Sequence, residues 1–366
     1  MFGLVLVCAI TVLQAYAVWR VASLPAFQVR RRRIALLAVA LLLWSVFVAA
    51  RFYGHSRSSR LAAAMDSIGM YWMASIFLVA VALLATDLLT GFGAWLRPHR
   101  FRLRAVGLAI GTALVILSVV QGHRPPTIEA FDVPMKGLPA KLDGATVVAL
   151  SDLHIGAETS LRWVADRVDQ VMQQRPDLIV FLGDLVEGHG ELDAKFAREL
   201  SRLSAPLGVW GVAGNHERYG AGRTNGDFQK SSGINLLQSQ SVRMAPGLVL
   251  AGARDMAFSQ DAAELADELA RTLPSSTREP IILLSHAPVG FTFAAQRGVS
   301  LMLSGHTHGG QIWPFSYLVA TRYPVVDGAR QVGDMTLIVC RGTGTWGPPM
   351  RLWKPGAILR ITLRRT

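Results

Sequence analysis

Four long apolar runs occupy the first third of this 366-residue sequence. They cover residues 1–19, 34–50, 68–89 and 101–120. A helix needs about 20 apolar residues to cross the hydrocarbon core of a bilayer, and each run approaches that length. The sequence therefore predicts a transmembrane region of four helices within residues 1–121.

The first run also admits a second interpretation, as a cleaved signal peptide. Ala15, Tyr16 and Ala17 resemble a small-residue cleavage site, but no Lys or Arg precedes the apolar stretch. Because a signal peptide normally begins with a positively charged segment, we expect this run to be retained as a membrane anchor.

The short loops between the runs differ in their arginine content, which bears on membrane orientation. Residues 20–33 contain five Arg and residues 97–104 contain four, whereas residues 51–60 contain three. Loops rich in Lys and Arg stay in the cytoplasm. We therefore expect a multi-pass protein of a bacterial cytoplasmic membrane whose last segment lies on the outer, periplasmic or extracellular, face.

The formal net charge of +12 is unevenly distributed along the chain. Residues 1–124 contain 13 Arg and two acids, so 24 basic and 23 acidic residues remain in the rest of the chain. A nearly neutral segment lacks the basic excess of a nucleic-acid-binding domain. Nucleic acid is therefore excluded as an expected partner, and the N-terminal Arg clusters are better explained as topology signals.

Beyond the apolar runs, the pattern changes to that of a globular domain. Residues 122–144 contain four Pro and predict a linker that ends in an edge strand. From residue 145 to residue 366, short β-rich runs first alternate with helical runs, as in βαβ units, and only strand-like runs are expected after Gln311. The predicted fold is an α/β sandwich of two sheets flanked by helices.

Five polar segments lie at the ends of apolar, strand-like runs. They are Ser-Asp-Leu-His-Ile-Gly (151–156), Leu-Gly-Asp-Leu-Val-Glu (182–187), Gly-Asn-His-Glu (214–217), Ser-His-Ala-Pro (285–288) and Gly-His-Thr-His-Gly-Gly-Gln (305–311). Any one of them alone is an ordinary strand end or turn. Ligands gather at the carboxyl ends of strands in open α/β sheets, so together the segments predict one cleft rich in Asp, Asn and His.

The order of these segments is similar to that of the calcineurin-like metallophosphoesterases, over about residues 145–311. The resemblance implies one divalent metal ion held by Asp152, His154, Asp184 and His308, and another held by Asp184, Asn215, His286 and His306. Asp184 would then bridge two ions. Nitrogen and oxygen ligands without thiolates suit Mn, Fe or Zn, among which the sequence does not choose.

The resemblance also implies a mechanism. A hydroxide shared by the two metal ions attacks phosphorus in line with the leaving oxygen. His216 is the expected proton donor to that oxygen. A carboxylate just after the Gly-Asp motif usually orients this His in the family, and the matching residue here is Glu187, one methylene longer than the Asp often found there.

The segment Gly-Gln-Ile-Trp-Pro (310–314) and the multi-span anchor look like the bacterial transmembrane branch of the family, which includes enzymes similar to the UDP-2,3-diacylglucosamine hydrolases of lipid A synthesis. We predict a membrane-anchored hydrolase of a phosphoester or pyrophosphate bond, with membrane lipids and a phosphorylated, lipid-linked substrate as partners. The alternative is a non-catalytic scaffold or sensor of the same fold. A scaffold is expected to lack ligands, whereas all seven ligands and His216 are present.

Four further polar residues carry weaker signals. Arg351 follows a Gly-rich run and is a candidate phosphate contact, although a solvated surface side chain is the simpler expectation. His189 lies between two glycines and is expected in an exposed turn. Arg218 and Arg254 are left without a predicted role.

Overall fold

A computed structural model describes residues 2–53, 60–156, 159–187, 194–219, 228, 230–244, 247–259 and 261–366. The chain forms two compact units. The helical unit comprises Met1–His123 and Gly347–Trp353, and the sheet unit comprises Arg124–Trp346 and Lys354–Thr366.

The described part of the helical unit contains four long helices, as the apolar runs predict. They are α1 (Phe2–Ala22), α2 (Arg30–Tyr53), α3 (Arg60–Leu89) and α4 (Arg100–Gly122). All four are long and apolar enough to cross a membrane. Buried side chains such as Ile10, Phe47 and Leu83 pack these helices together, while much of the remaining apolar surface is exposed, as in a bundle surrounded by lipid.

A buried group of charged side chains connects three of these helices. Asp87 on α3 is 1% exposed and lies 2.6 Å from Nε of Arg20 on α1 and 3.5 Å from Nε of Arg104 on α4. The Tyr16 hydroxyl donates a 2.5 Å hydrogen bond to the same carboxylate. A charge inside an apolar bundle is costly unless it is paired, so this group favours one alignment of α1, α3 and α4.

Arg351 lies in Gly347–Trp353, a short segment near the end of the sequence that is part of the helical unit. Its backbone N–H donates to the carbonyl oxygen of Ser118 over 2.9 Å, and the residue is only 2% exposed. The expectation of a solvated surface Arg was therefore wrong. The sequence around Arg351 does not reveal that its neighbours come from α4.

The first sheet of the sheet unit has six strands among the described residues. In spatial order they are β1 (Thr127–Met135), β12 (Ala357–Arg365), β2 (Thr146–Leu150), β3 (Leu178–Phe181), β4 (Val209–Gly211) and β5 (Asn235–Leu236). The strands β2 to β5 are parallel, whereas β12 runs antiparallel to β2 and parallel to β1. The carboxyl ends of β2, β3 and β4 therefore meet at one edge of the sheet.

The second sheet also has six strands in the described part of the chain. Their order is β10 (Gly328–Val332), β11 (Met335–Val339), β9 (Leu301–Ser304), β8 (Ile281–Leu284), β7 (Val249–Gly252) and β6 (Gln240–Arg243). The central strands β11, β9, β8 and β7 are parallel, and the outer strands β10 and β6 are antiparallel to their neighbours.

Six α-helices are described in the sheet unit. They are α5 (Leu161–Met172), α6 (Ala194–Leu200), α7 (Asn215–Tyr219), α8 (Ala262–Thr272), α9 (Phe291–Gln296) and α10 (Phe315–Arg322). The side chains of Ser160 and Asp261 cap the first turns of α5 and α8, as these residue types commonly do. The helix α10 corrects the expectation that only strands follow Gln311.

One apolar core lies between the two sheets, and further cores lie under the flanking helices. Val147 and Val180 of the first sheet share the central core with Leu250, Leu284 and Leu303 of the second. Strands covered on both faces become continuous apolar runs, which explains why the pattern of residues 145–304 lacks polar alternation. The predicted sandwich of two sheets flanked by helices, with four apolar helices before it, is confirmed.

Candidate metal centre

The seven predicted ligands lie at the carboxyl ends of parallel strands from both sheets. Asp152 follows β2, Asp184 follows β3 and Asn215 begins α7 after β4. In the second sheet, His286 follows β8, and the pair His306 and His308 follows β9. Because the two sheets pack face to face, residues more than 150 positions apart in sequence reach one site.

The first group of donor atoms contains Asp152, His154 and His308. Nε2 of His154 lies 3.1 Å from Nε2 of His308, and Oδ1 of Asp152 lies 3.5 Å from the same His308 nitrogen. The three donor atoms lie within 4.8 Å of one another and all three residues are buried. This spacing allows one small cation to contact all three.

The second group contains Asp184, His286 and His306, with Asn215 beside them. Nε2 of His286 lies 3.2 Å from Oδ2 of Asp184, 3.1 Å from Nδ1 of His306 and 3.2 Å from Oδ1 of Asn215. The carboxylate and the two His donor atoms again lie within 4.8 Å of one another.

Asp184 is the residue that faces both groups. Its Oδ2 is 3.2 Å from His286 in the second group and 3.9 Å from Nε2 of His154 in the first. Its Oδ1 accepts a 2.8 Å hydrogen bond from the backbone N–H of His216. With an exposed fraction of only 2%, this carboxylate is in the position that a bridging ligand requires.

The backbone at the site is strained in a way that fits a bound cation. Five of the seven ligands have a positive φ: Asp152 (55°), His154 (49°), Asp184 (49°), His306 (69°) and His308 (50°). This conformation costs residues with a side chain about 1–3 kcal/mol each, and it persists where it positions functional groups. The convergence of buried carboxylate, imidazole and amide donors also suits divalent transition metals, so the residues present fit the ions that the resemblance implies.

Two of the His ligands have their tautomer set by a neighbouring acceptor. Nδ1 of His286 donates to the carbonyl oxygen of Leu182 over 2.8 Å, and Nδ1 of His154 donates to Oε2 of Glu187 over 2.6 Å. With the proton on Nδ1, the neutral form of each ring keeps its Nε2 lone pair available for a metal ion. Such contacts orient a ligating imidazole and make it a stronger ligand.

Glu187 therefore has a different main partner from the one that the sequence suggested. Its 2.6 Å contact is with the predicted ligand His154, whereas its Oε1 lies 3.4 Å from Nδ1 of His216. The two imidazole rings are 4.6 Å apart in an edge-to-face arrangement. The longer Glu side chain thus contacts the rings of both His154 and His216, and its contact with His154 is the shorter of the two.

The charges of the site shift the pKa values of its His and Glu residues. Burial lowers the pKa of His216, but its contact with Glu187 outweighs this effect and raises the pKa to about 9. Burial raises the pKa of Glu187, but His154 outweighs it and holds that pKa well below its usual range. His216 is therefore protonated at neutral pH, the state that a general acid requires.

The two His residues of the second group shift in opposite directions. Burial lowers the pKa of His286, yet the Asp184 carboxylate outweighs it and raises that pKa to about 10. For His306, burial and the neighbouring charge of His286 both act downward, and they lower the pKa to about 3. The protonated His286 ring thus pairs with the Asp184 carboxylate. A metal ion bound between these two side chains would replace the proton on His286.

Glu217 is a buried residue of the site to which sequence reasoning gave no role. Its buried carboxylate accepts three backbone hydrogen bonds, from Asp184 (3.0 Å), Val186 (3.1 Å) and Gly214 (2.6 Å). It thereby connects the loop after β3 to the loop after β4 and fixes the position of Asp184. The sequence signal for a role of Glu217 at the site was its position directly after His216 in Gly-Asn-His-Glu.

Two motif glycines provide the space that the ligands occupy. A Cβ atom on Gly214 would overlap the Asp184 carboxylate, and one on Gly305 would overlap the side chains of Ser151 and Asp152. The motifs therefore contain glycine where the backbone of one loop passes against a ligand of another.

The remaining polar candidates do not join the two donor groups. His189 lies outside the described residues. Arg218 is exposed and lies 3.7 Å from Asp255, and Arg254 is paired with Glu264 (2.8 Å) and Glu268 (3.0 Å).

An aromatic surface is defined here as five exposed side chains, Phe258 after β7 and Trp313, Phe315, Tyr317 and Leu318 at and before α10, of which Phe258 lies beside the second group. The Phe258 ring lies 6.3 Å from the His306 ring, and an Arg322 side chain on α10 donates to the carbonyl oxygen of Ser259 over 2.6 Å. These five residues are 36–69% exposed. Within the described part of the sheet unit, the only other large hydrophobic residue with comparable exposure is Leu161.

Sequence comparison relates this chain to known proteins of one family. A family model for the calcineurin-like phosphoesterases matches residues 145–310. The chain is 33% identical to an uncharacterized metallophosphoesterase of Aquifex aeolicus, over 65% of this chain and 90% of that protein. It is 30% identical to an uncharacterized metallophosphoesterase of Campylobacter jejuni, over 70% of this chain and 68% of that protein.

A third relative comes from an animal. The chain is 31% identical to a transmembrane protein with metallophosphoesterase domain from Danio rerio, over 72% of this chain. The matched region spans 63% of the length of that relative. Similarity of this kind is therefore not restricted to bacteria.

Proposed function

This chain belongs to the calcineurin-like phosphoesterase family, and from that premise we propose that it is a membrane-anchored, two-metal hydrolase of phosphoester or pyrophosphate bonds. The observation that carries the proposal is the pair of donor groups that share Asp184. A single metal site would not need one carboxylate oxygen to face two separate sets of His donors.

Asp152, His154, Asp184 and His308 would hold one divalent ion, and Asp184, Asn215, His286 and His306 would hold the other. When bound, the ions supply positive charge that lowers the pKa of a water molecule and neutralises the charge of the phosphoryl group. His216, kept protonated by Glu187, donates its proton to the departing oxygen. Glu187 also positions His154, and Glu217 positions Asp184.

Metal removal and restoration test the proposed activity. The assay uses the full chain, because Gly347–Trp353 belongs to the helical unit and would lose the helices it contacts if residues 1–123 were removed. The chelated protein should hydrolyse bis(p-nitrophenyl) phosphate at background rate, and addition of Mn²⁺, Fe²⁺ or Zn²⁺ should restore turnover at least about tenfold. A folded, metal-loaded protein inactive on both mono- and diesters would instead support the scaffold function.

We further propose that the substrate carries a lipid. Only four residues of the chain separate α4, which is suited to a membrane, from β1 of the sheet unit. The exposed Phe258 ring beside His306 and the exposed apolar side chains at and before α10 offer contacts on which an acyl chain would bury apolar surface. Sugar-nucleotide lipids, which the Gly310–Pro314 resemblance suggests, are the first natural candidates.

Attaching an alkyl chain to a substrate tests this preference. In nanodiscs, the full chain should hydrolyse p-nitrophenyl decyl phosphate with a kcat/KM about tenfold above that of p-nitrophenyl ethyl phosphate, because the longer chain buries apolar surface. The Tyr317→Ser, Leu318→Ser double variant should remove most of this gain. Its activity on the ethyl ester should remain within about twofold of the parent.

Leu161→Ser is the matched control, because Leu161 is also an exposed apolar residue of the sheet unit but lies at the start of α5. It should keep the preference for the decyl ester. Equal rates for the two esters in the parent protein would end the lipid-linked proposal and leave the two-metal hydrolase intact.

We also propose that the sheet unit lies on the outer face of a bacterial cytoplasmic membrane. The support is the excess of Arg in the first and third loops over the second. Protease added to intact spheroplasts should digest the sheet unit, and full protection there with digestion in inverted vesicles would reverse the orientation.

A further inference from the structure

A cavity of about 470 Å³ lies at the Arg-rich end of the helical unit, between α1 and the start of α2. Its volume is within the range of small-ligand sites. One side of it is apolar and the other is polar. The lining includes the apolar residues Ala15, Val18 and Leu37 and the polar residues Ser23, Gln28 and Arg33.

Few acidic side chains balance the positive charge at the polar side of the cavity. Arg30, Arg31, Arg32 and Arg33 are consecutive and exposed, and none of them is paired with an acid among the described residues. No acidic residue occurs between Trp19 and Trp44 in the sequence. The buried Asp87 is already paired with Arg20 and Arg104.

The lining therefore has the chemistry of a lipid with a negative headgroup. Ala15 and Val18 lie on α1 and Leu37 lies on α2, within segments suited to the apolar interior of a membrane, whereas Gln28 and Arg33 lie around the turn between these helices. Trp19, which prefers the boundary between hydrocarbon and water, lies between the two parts of the lining.

We propose that this cavity binds one anionic phospholipid, with its phosphate on Arg33 and an acyl chain along Ala15, Val18 and Leu37. A zwitterionic lipid has the same apolar part but adds a cation that would face the Arg cluster. The site is separate from the metal centre and does not depend on the proposed hydrolase activity.

Native mass spectrometry of the full chain in detergent measures the binding directly. At about 0.15 M salt, where distant charges are screened, the protein should retain dioleoylphosphatidylglycerol at least about tenfold more tightly than dioleoylphosphatidylcholine. Arg33→Gln should weaken binding of the anionic lipid about tenfold, since it removes a charge-assisted hydrogen bond. Arg31→Gln removes the same charge outside the cavity and should weaken binding at most about threefold.

A second pair of variants tests the apolar part without changing charge. Ala15→Phe should fill the cavity and abolish the preference for the anionic lipid, whereas Ala38→Phe, at an exposed position on α2 outside the lining, should leave it intact. Equal losses in Arg31→Gln and Arg33→Gln, or no effect of Ala15→Phe, would overturn the site in favour of a diffuse surface charge. Displacement of the lipid by millimolar inorganic phosphate would show a site for free phosphate instead.

Discussion

Asp184→Asn should lower the metal-dependent turnover of bis(p-nitrophenyl) phosphate by about a thousandfold, because a bound metal ion supplies several kcal/mol of transition-state stabilisation. The substitution keeps the size of the side chain but removes the negative charge that faces both donor groups. The measurement is kcat/KM of the full chain at saturating Mn²⁺, together with the number of ions bound per chain, which should fall below two.

Asp166→Asn is the matched control for this variant. Asp166 is an exposed residue of α5 and makes no contact with the donor groups in the described structure, so its kcat/KM should stay within about twofold of the parent. If Asp184→Asn kept two bound ions and near-normal turnover, Asp184 would not be the bridging ligand and the two-metal assignment would fail.

His216→Ala should lower kcat by about 10²–10⁴-fold for substrates whose leaving group is an alkoxide, the usual range for losing a general acid. An alkoxide is a strong base and cannot leave readily without a proton. The contact with Glu187 raises the pKa of His216 to about 9, which favours the protonated imidazole at neutral pH. A His216 ring nitrogen also lies within 4.8 Å of donor atoms of His154 and Asp184, although neither predicted set of four ligands includes this residue.

The dependence on the leaving group distinguishes a proton donor from a structural residue. A p-nitrophenolate anion is stable and leaves without a proton, so its release should slow by only about tenfold or less in the same variant. Metal content should be unchanged. His123→Ala, at an exposed His after α4, should affect neither substrate. Equal losses for both leaving groups would show that His216 acts by holding the site together.

Much of the fold and the site could be predicted from local features of the sequence. The four apolar runs and their length predict α1 to α4, because a bilayer imposes a fixed thickness on any helix that crosses it. Fully apolar strand runs followed by Asp, Asn or His predict a sandwich with polar residues at one edge. Asp152 and His306 follow strands of different sheets, β2 and β9, and they meet because the two sheets pack with these strand ends at one site.

Other features depend on contacts between segments that are distant in the sequence. Glu187 contacts His154 more closely than His216, although it was assigned to His216 by its position after the Gly-Asp motif. Which of these two His residues Glu187 contacts more closely depends on how the loops after β2 and β3 face each other. Glu217 acquires its role only because α7 presents its carboxylate to backbone N–H groups of the loop after β3.

The sequence by itself determined the types of residue at the site, the order of the elements and the membrane character of the first third, because each of these depends on local periodicity, apolar length and residue chemistry. The tertiary structure alone decided the burial of Arg351, the helix α10 and the partly polar cavity beside Arg33. These features arise where segments that are distant in the sequence pack against one another. No local sequence pattern predicts which segments will be in contact, because the packing energy depends on both of the surfaces that meet.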